Sequence, residues 1–278
     1  MKIGDKVRFI SEKGGGVVVG FQNNNIAIAF EDFMDDQNFT DVVFSLKANP
    51  EITNVPPVDE DLNTTIEKTG VYAFEDEWPK AGDYDMNDVI VEYERKVYFD
   101  KKNIVTKIVD EFTPVHDGAT YVNAFAYQID AAQIGDKITL PEGAILEKET
   151  SSIIVMSNAK QNIGNKYVVT REFNGSFLKN QLLSYNPYII VKYSQGKRNR
   201  TEVHLPKHKA TAYANQSLIG SNDDAYYIDR KGAYPFAIDI PMLGFTPVTE
   251  RNRIDSQYPG FATWAKSMGN DCKDWYKK

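Results

Sequence analysis

The sequence predicts an all-β fold, an antiparallel sandwich or jelly-roll-like arrangement with a short C-terminal helix, on three observations. Almost every patterned stretch alternates with period two rather than 3.6. Those stretches are rich in β-branched and aromatic residues, drawn from 16 Tyr and 15 Phe, and Gly, Pro, Asn or Asp bounds them. Strands spaced in this way along one chain pack as antiparallel sheets.

In chain order, Ile26, Ile28 and Phe30 alternate as a strand, and Val71 with Ala73 lead into a second. Further strands are expected at Val89–Phe99, Tyr121–Asp130, Ser152–Met156, Tyr167–Thr170, Tyr188–Tyr193, Thr201–Leu205 and Tyr234–Ile240. Gly14, Gly15, Gly16 and Gly20 miss dinucleotide spacing and do not follow a convincing strand. The clearest connector runs from Asn49-Pro50 through Val55-Pro56-Pro57 to Asp61, extended because proline restricts itself and the residue before it. Only Tyr258–Gly269 reads as helical: Phe261, Trp264, Ala265 and Met268 share a face to be buried, Gly269 ends it, and Trp275 and Tyr276 dock against it. The expected division is a duplicated acidic-loop region over 1–109 and a β-rich region over 110–278, packed as one unit.

Composition narrows the function. A net charge of -7 and a pI near 5.1 argue against nucleic acid, which needs a basic surface. The basic run Lys197-Arg198-Asn199-Arg200 reads as a solvated turn. Cys272 is the only cysteine, so no intrachain disulfide forms and no zinc-thiolate cluster is available. No run reaches the roughly twenty apolar residues of a membrane-spanning helix, so no transmembrane segment is expected. Met1-Lys2-Ile3-Gly4-Asp5-Lys6 starts with charge but lacks the apolar stretch of a signal peptide.

The chemistry concentrates in two acidic blocks. Val71 to Glu94 carries eight carboxylates against Lys80 alone. Phe30-Glu31-Asp32, followed by Asp35 to Asp41 and Val42-Val43-Phe44, aligns with Phe74-Glu75-Asp76, followed by Asp83 to Asp88 and Val89-Ile90-Val91. Both read as strand, acidic loop, strand. Carboxylates at alternating positions can be wrapped around one hard ion, and calcium takes roughly six to eight oxygens of this kind. Glu31, Asp32, Asp36, Asn38 and Asp41 are the expected ligands of one calcium site, and Glu75, Asp76, Asp83, Asp85, Asn87 and Asp88 those of the other. An EF-hand is excluded because Asp88 stands where the loop needs Gly and a strand follows where a helix is required. The bland alternative is an acidic turn held by Asx hydrogen bonds. The duplication argues against it.

A second polar group lies at Arg200, Glu202 and His204, which share one face of a strand, with Asp223 and Asp224 close in sequence. It is the candidate ligand-binding face and, if the chain were a carbohydrate-active enzyme using paired carboxylates, the first place to look. No nucleophile accompanies it, and neither Gly-x-Ser-x-Gly nor His-Glu-x-x-His occurs. His204 and His208 do not form a helical metal pair, because Pro206 stands between them. Trp78, Tyr84, Tyr226, Tyr227 and Tyr234 are candidates for flat contact surfaces, set against core packing.

Together these motifs resemble the LruC domain family of bacterial secreted proteins and lipoproteins, whose biochemical role is largely undefined. The paired Phe-Glu-Asp blocks carry the likeness, the second followed by Trp78-Pro79, Gly82-Asp83-Tyr84-Asp85 and Asn87-Asp88. Asp41 to Phe44 with Ala48 to Pro50, Asn186-Pro187, Glu202 to Pro206, Asp223-Asp224, Tyr234 to Ala237 and the closing Trp264, Ser267, Gly269 and Asp274-Trp275-Tyr276 extend it from about residue 26 to the end. The front departs: Met1 to Phe21 is shorter than the usual lead-in, and the first acidic copy is poorer in ligands. The resemblance implies export to the periplasm or cell surface, with a signal or lipid anchor outside this sequence. The function expected from the residues and the resemblance together is a non-catalytic, calcium-stabilised module that binds a surface protein or glycan.

Overall fold

A computed structural model describes residues 6–8, 15–22, 25–30, 63–175, 177–219, 227–229, 231 and 233–277. The chain forms two compact units, Met1–Asp59 and Glu60–Lys278. The boundary therefore falls in the proline-rich connector, not at 109/110. Position 110 lies mid-strand, in a segment paired on both sides.

In the first unit, β1 (Lys6–Arg8), β2 (Gly15–Gln22) and β3 (Asn25–Phe30) form an antiparallel three-stranded sheet in the order β1-β2-β3. Gly15 and Gly16 open β2, their backbone paired with Arg8 and Val7 of β1. The expected ligands Glu31, Asp32, Asp36, Asn38 and Asp41 lie outside the described residues.

The second unit contains two antiparallel sheets. β4 (Asn63–Phe74), β5 (Val89–Phe99), β6 (Val105–His116), β8 (Lys137–Thr139), β11 (Tyr167–Glu172) and β14 (Ala237–Ile240) form one, in the order β14-β4-β5-β6-β11-β8. β7 (Ala124–Gln128), β9 (Ile145–Glu147), β10 (Ser152–Met156), β12 (Asn186–Val191) and β13 (Thr201–His204) form the other, in the order β13-β12-β7-β10-β9. The all-β expectation holds. β5 shows why: Val91, Tyr93, Val97 and Phe99 are buried, while Glu92, Glu94, Lys96 and Tyr98 between them are only partly covered. Rings from both sheets meet in the core, with Phe112 5.2 Å from Phe125 and 5.0 Å from Tyr127, and Phe74 6.2 Å from Phe125.

β6 escaped the sequence reading because it breaks the expected alternation. Asp110 occupies an inward position between Ile108 and Phe112, and Pro114 sits where the register with β5 shifts. A buried charge and a proline both argue against a central strand unless a partner and a bulge are supplied elsewhere.

Gly70 of β4 lies opposite Tyr93 of β5. A Cβ there would come within 2.6 Å of both the Tyr93 hydroxyl and the Ile240 carbonyl oxygen. Gly70→Ala is therefore expected to push β14 away from β4 and cost roughly 1–3 kcal/mol, as overpacking does. A denaturant midpoint equal to that of the unaltered protein would refute this.

Near the C-terminus, α1 (Ile254–Gln257) and α2 (Phe261–Lys266) are short. Phe261 and Ala265 are buried as expected, and Trp275 packs 4.8 Å from Phe261 with Tyr276 beside it. Met268 is not part of the buried stripe: it is 48% exposed, beyond the helix end, with φ 56°. Gly269, at φ 85°, returns its N–H to the Trp264 carbonyl and closes the turn. Among the described residues, no helix is long and apolar enough to cross a membrane.

Candidate metal centre

The acidic loop joins β4 to β5, and its geometry begins with strand alternation. Phe74 is fully buried against the other sheet, so Glu75 turns to the opposite side of β4 and Asp76 turns back. Glu75 is 1% exposed, and its N–H donates to the Phe236 carbonyl, extending the pairing with the segment before β14. Its carboxylate accepts the Met86 N–H at 2.5 Å and the Tyr84 N–H at 3.3 Å. Tyr84 and Met86 both adopt left-handed φ values of 56°, which wraps the loop around that carboxylate. Gly82 permits the wrap, since a Cβ there would sit 2.7 Å from Glu75 Oε2.

This folding brings three of the expected ligands together. Glu75, Asp83 and Asp85 each place an oxygen within 4.8 Å of the other two. Oxygens bound at roughly 2.3–2.6 Å around calcium stand at such separations. Asp83 is exposed and leaves the site open to entry, whereas Asp85 is 2% exposed and accepts the N–H groups of Arg251 at 2.9 Å and Asn87 at 3.3 Å.

Electrostatics says what the loop lacks. Burial, then the charges of Asp88, Asp85 and Asp83, pushes Glu75 well above the usual carboxylate range, although the Met86 hydrogen bond opposes this. Asp88 is raised to about 8 by burial and then by Asp76, and Asp85 to about 6, chiefly by burial. Among the described residues, no lysine or arginine forms an ion pair with Glu75, Asp83, Asp85 or Asp88. Such a cluster must either hold protons or accept a cation.

The other expected ligands do not join the triad. Asp88 Oδ2 accepts the Asp76 N–H at 2.8 Å, and Asp76 Oδ2 accepts from Asn123 Nδ2 at 2.7 Å. Asn87 spends its Nδ2 on the Val248 carbonyl at 3.0 Å, and its own carbonyl takes the Gly118 N–H. It brackets the loop between two distant segments. Val248, Arg251 and Ile254, whose N–H donates to the Tyr84 carbonyl at 2.8 Å, all fasten the C-terminal segment onto the loop. The sequence gives no sign of these contacts, because backbone groups carry no residue signature. Asp117 was also missed: its side chain is fully covered, neither oxygen makes a hydrogen bond, and Lys160 Nζ stands 3.8 Å away. Burial raises its carboxyl to about 6, with Lys160 and the nearby Ala119 N–H working against that.

The second polar group turns inward, which corrects its reading as a ligand-binding face. Arg200, Glu202 and His204 are 4%, 1% and 0% exposed. Glu202 accepts from Arg200 Nε at 2.7 Å, from the Thr211 hydroxyl at 2.8 Å and from the Thr211 N–H at 2.9 Å, and His204 Nε2 lies 3.0 Å from it. Arg200 also forms a two-pronged pair with Glu147 at 2.7 and 2.8 Å, so it is not part of a solvated turn. The strand-face expectation was right, but that face is a satisfied interior network. Asp223 and Asp224 lie outside the described residues. Trp78, Tyr84, Tyr227 and Tyr234 are likewise buried and offer no flat surface, while Tyr226 lies outside the described residues.

No curated protein and no solved structure matches the chain. The profile of a family described as a domain of unknown function (DUF4842) matches residues 103–276. That span includes Asp117, Asn123, the buried network and the segment that grips the loop, whereas Glu75, Asp83 and Asp85 precede it. Well over half of the sequence is covered, and the chain belongs to the DUF4842 family.

Proposed function

We propose that this chain is a calcium-stabilised, non-catalytic β module acting outside the cytoplasm, where it binds a protein or glycan at a cell surface. One observation carries the calcium half: the Glu75, Asp83 and Asp85 oxygens converge, and among the described residues no lysine or arginine forms an ion pair with them. Magnesium suits such a site less, since it retains waters and uses fewer carboxylates. The extracytoplasmic setting follows from the resemblance to LruC proteins. Extracellular modules commonly bind calcium weakly, at roughly 10⁻⁴–10⁻³ M. The burial of Glu202 leaves the enzyme alternative without its leading carboxylate.

Calcium in large excess over its dissociation constant is expected to stabilise the protein by about 2.7 kcal/mol at a hundredfold excess. For a unit of this size that is a rise of roughly 5–10 °C in thermal midpoint. Equimolar magnesium should give much less. Asp83→Asn is the clean variant, because Asp83 is exposed and its loss removes a ligand without opening the core. A midpoint indifferent to chelator and calcium, with no binding heat, would overturn the calcium reading. The partner half is tested on a glycan and extracellular-matrix array, read with calcium and with chelator. Absence of any calcium-dependent signal there counts against it.

A further inference from the structure

Away from the acidic loop, the second unit has a cleft of about 280 Å³ between the turn after β13, the approach to β14 and α2. Leu205, Pro206, Pro235, Ile238, Trp264 and Met268 supply apolar wall, and Lys207, His208 and Asp239 are the ionisable groups on its lining. A cavity of about 150 Å³ accepts benzene, so this one takes a group nearly twice as large.

The charges are unequal in a useful way. Asp239 is already engaged, accepting from the Tyr93 hydroxyl at 2.7 Å and from Lys68 Nζ at 3.2 Å. His208 Nδ1 lies 3.2 Å from the Pro206 carbonyl oxygen. Lys207 is exposed and has no ion-pair partner among the described residues. Among the described residues it is thus a cation without an ion pair on the lining of an apolar cleft, in a chain of net charge -7.

The turn that presents Lys207 is itself unusual. The His208 N–H donates to the Leu205 carbonyl at 3.1 Å, Pro206 takes the second position and Lys207 the third, with φ 67°. That is the place where a type II turn prefers glycine, and a lysine there costs backbone energy glycine would spare. The side chain is held at the cleft despite that cost.

We propose that this cleft binds a small amphiphile with an apolar body and a carboxylate head, of the medium-chain fatty acid class, its chain against Trp264 and its head on Lys207. The apolar wall supplies affinity and the lysine supplies selectivity for the anion. The site is independent of the calcium reading.

The test titrates octanoate, below its micelle concentration, into the full chain, with calorimetry and intrinsic tryptophan fluorescence as readouts and octanamide as the uncharged control. Octanoate is expected to bind about tenfold more tightly than octanamide, as one charge-assisted contact allows. Lys207→Glu should weaken octanoate at least tenfold, Lys207→Arg should retain it, and neither should move the thermal midpoint, because the residue is exposed. Binding of acid and amide with equal affinity, indifference to Lys207→Glu, or no saturable binding by octanoate would each overturn the proposal.

Discussion

Asp110→Ala is expected to destabilise the second unit by about 3–5 kcal/mol, the cost of removing one partner from a buried ion pair. Asp110 is 1% exposed and accepts from Arg95 Nε at 2.7 Å, the Tyr185 hydroxyl at 2.9 Å and Arg171 Nη2 at 3.4 Å. Arg171 is completely buried and otherwise holds the Gln133 carbonyl, while the Arg95 guanidinium lies over the Tyr185 ring. Without the carboxylate, two guanidinium groups would remain in the interior with no counter-charge. Chemical unfolding measures the loss. The triple replacement Arg95→Met, Asp110→Leu, Arg171→Met separates mechanisms: it should recover much of the stability, because it also removes the desolvated charges. If Asp110→Ala costs under 1 kcal/mol, the cluster does not hold the sheet as described.

Glu202→Gln is expected to cost a similar 3–5 kcal/mol at neutral pH, and the difference from the unaltered protein should shrink in acid. Burial works to raise the Glu202 carboxyl, but the His204 hydrogen bond and charge, Arg200 and the Thr211 N–H together hold it below its ordinary 4.5. A carboxyl lowered on folding contributes fully above its unfolded value and loses that contribution as pH falls through the folded one. Burial, opposed by Glu202, lowers His204 below its ordinary 6.5. The unfolded chain then binds that proton first, so acid again costs stability. Both effects run in the same direction: stability should fall from about pH 6.5 downwards, and more steeply below about 4.5. Denaturation of both proteins from pH 7 to 2 checks this, since subtracting the variant cancels groups that do not interact with Glu202, whereas His204, 3.0 Å away, shifts with it. A gap that does not narrow between about pH 4.5 and 2 would show that Glu202 does not carry the charge assigned to it.

The same residues mark where sequence and tertiary structure divide the work. Local pattern announced β5 and β10 to the residue: β5 alternates between buried and partly covered side chains, and β10 is a short, β-branched run buried throughout. It failed at β6, where Asp110 is inward only because Arg95 of β5 and Arg171 of β11 meet it there. Acidic repetition identified the loop, yet assigned Glu75, Asp76, Asp83, Asp85, Asn87 and Asp88 to a single site. Strand parity separated Glu75 from Asp76, and the left-handed turns at Tyr84 and Met86 chose Asp83 and Asp85 as the partners of Glu75.

By itself, then, the sequence determined an acidic, aromatic-rich, all-β chain and a loop crowded with oxygen ligands, since local periodicity and local charge need no knowledge of the fold. Only the tertiary structure decided which carboxylates converge, that Arg200, Glu202 and His204 face inward, and that Leu205, Pro235 and Trp264 wall one cleft. Asn87 meets Val248 across 161 residues, and Asp85 meets Arg251 across 166. Contacts at such separation are fixed by how sheets and segments pack. A backbone N–H or a buried face leaves no mark of its partner in the order of the residues.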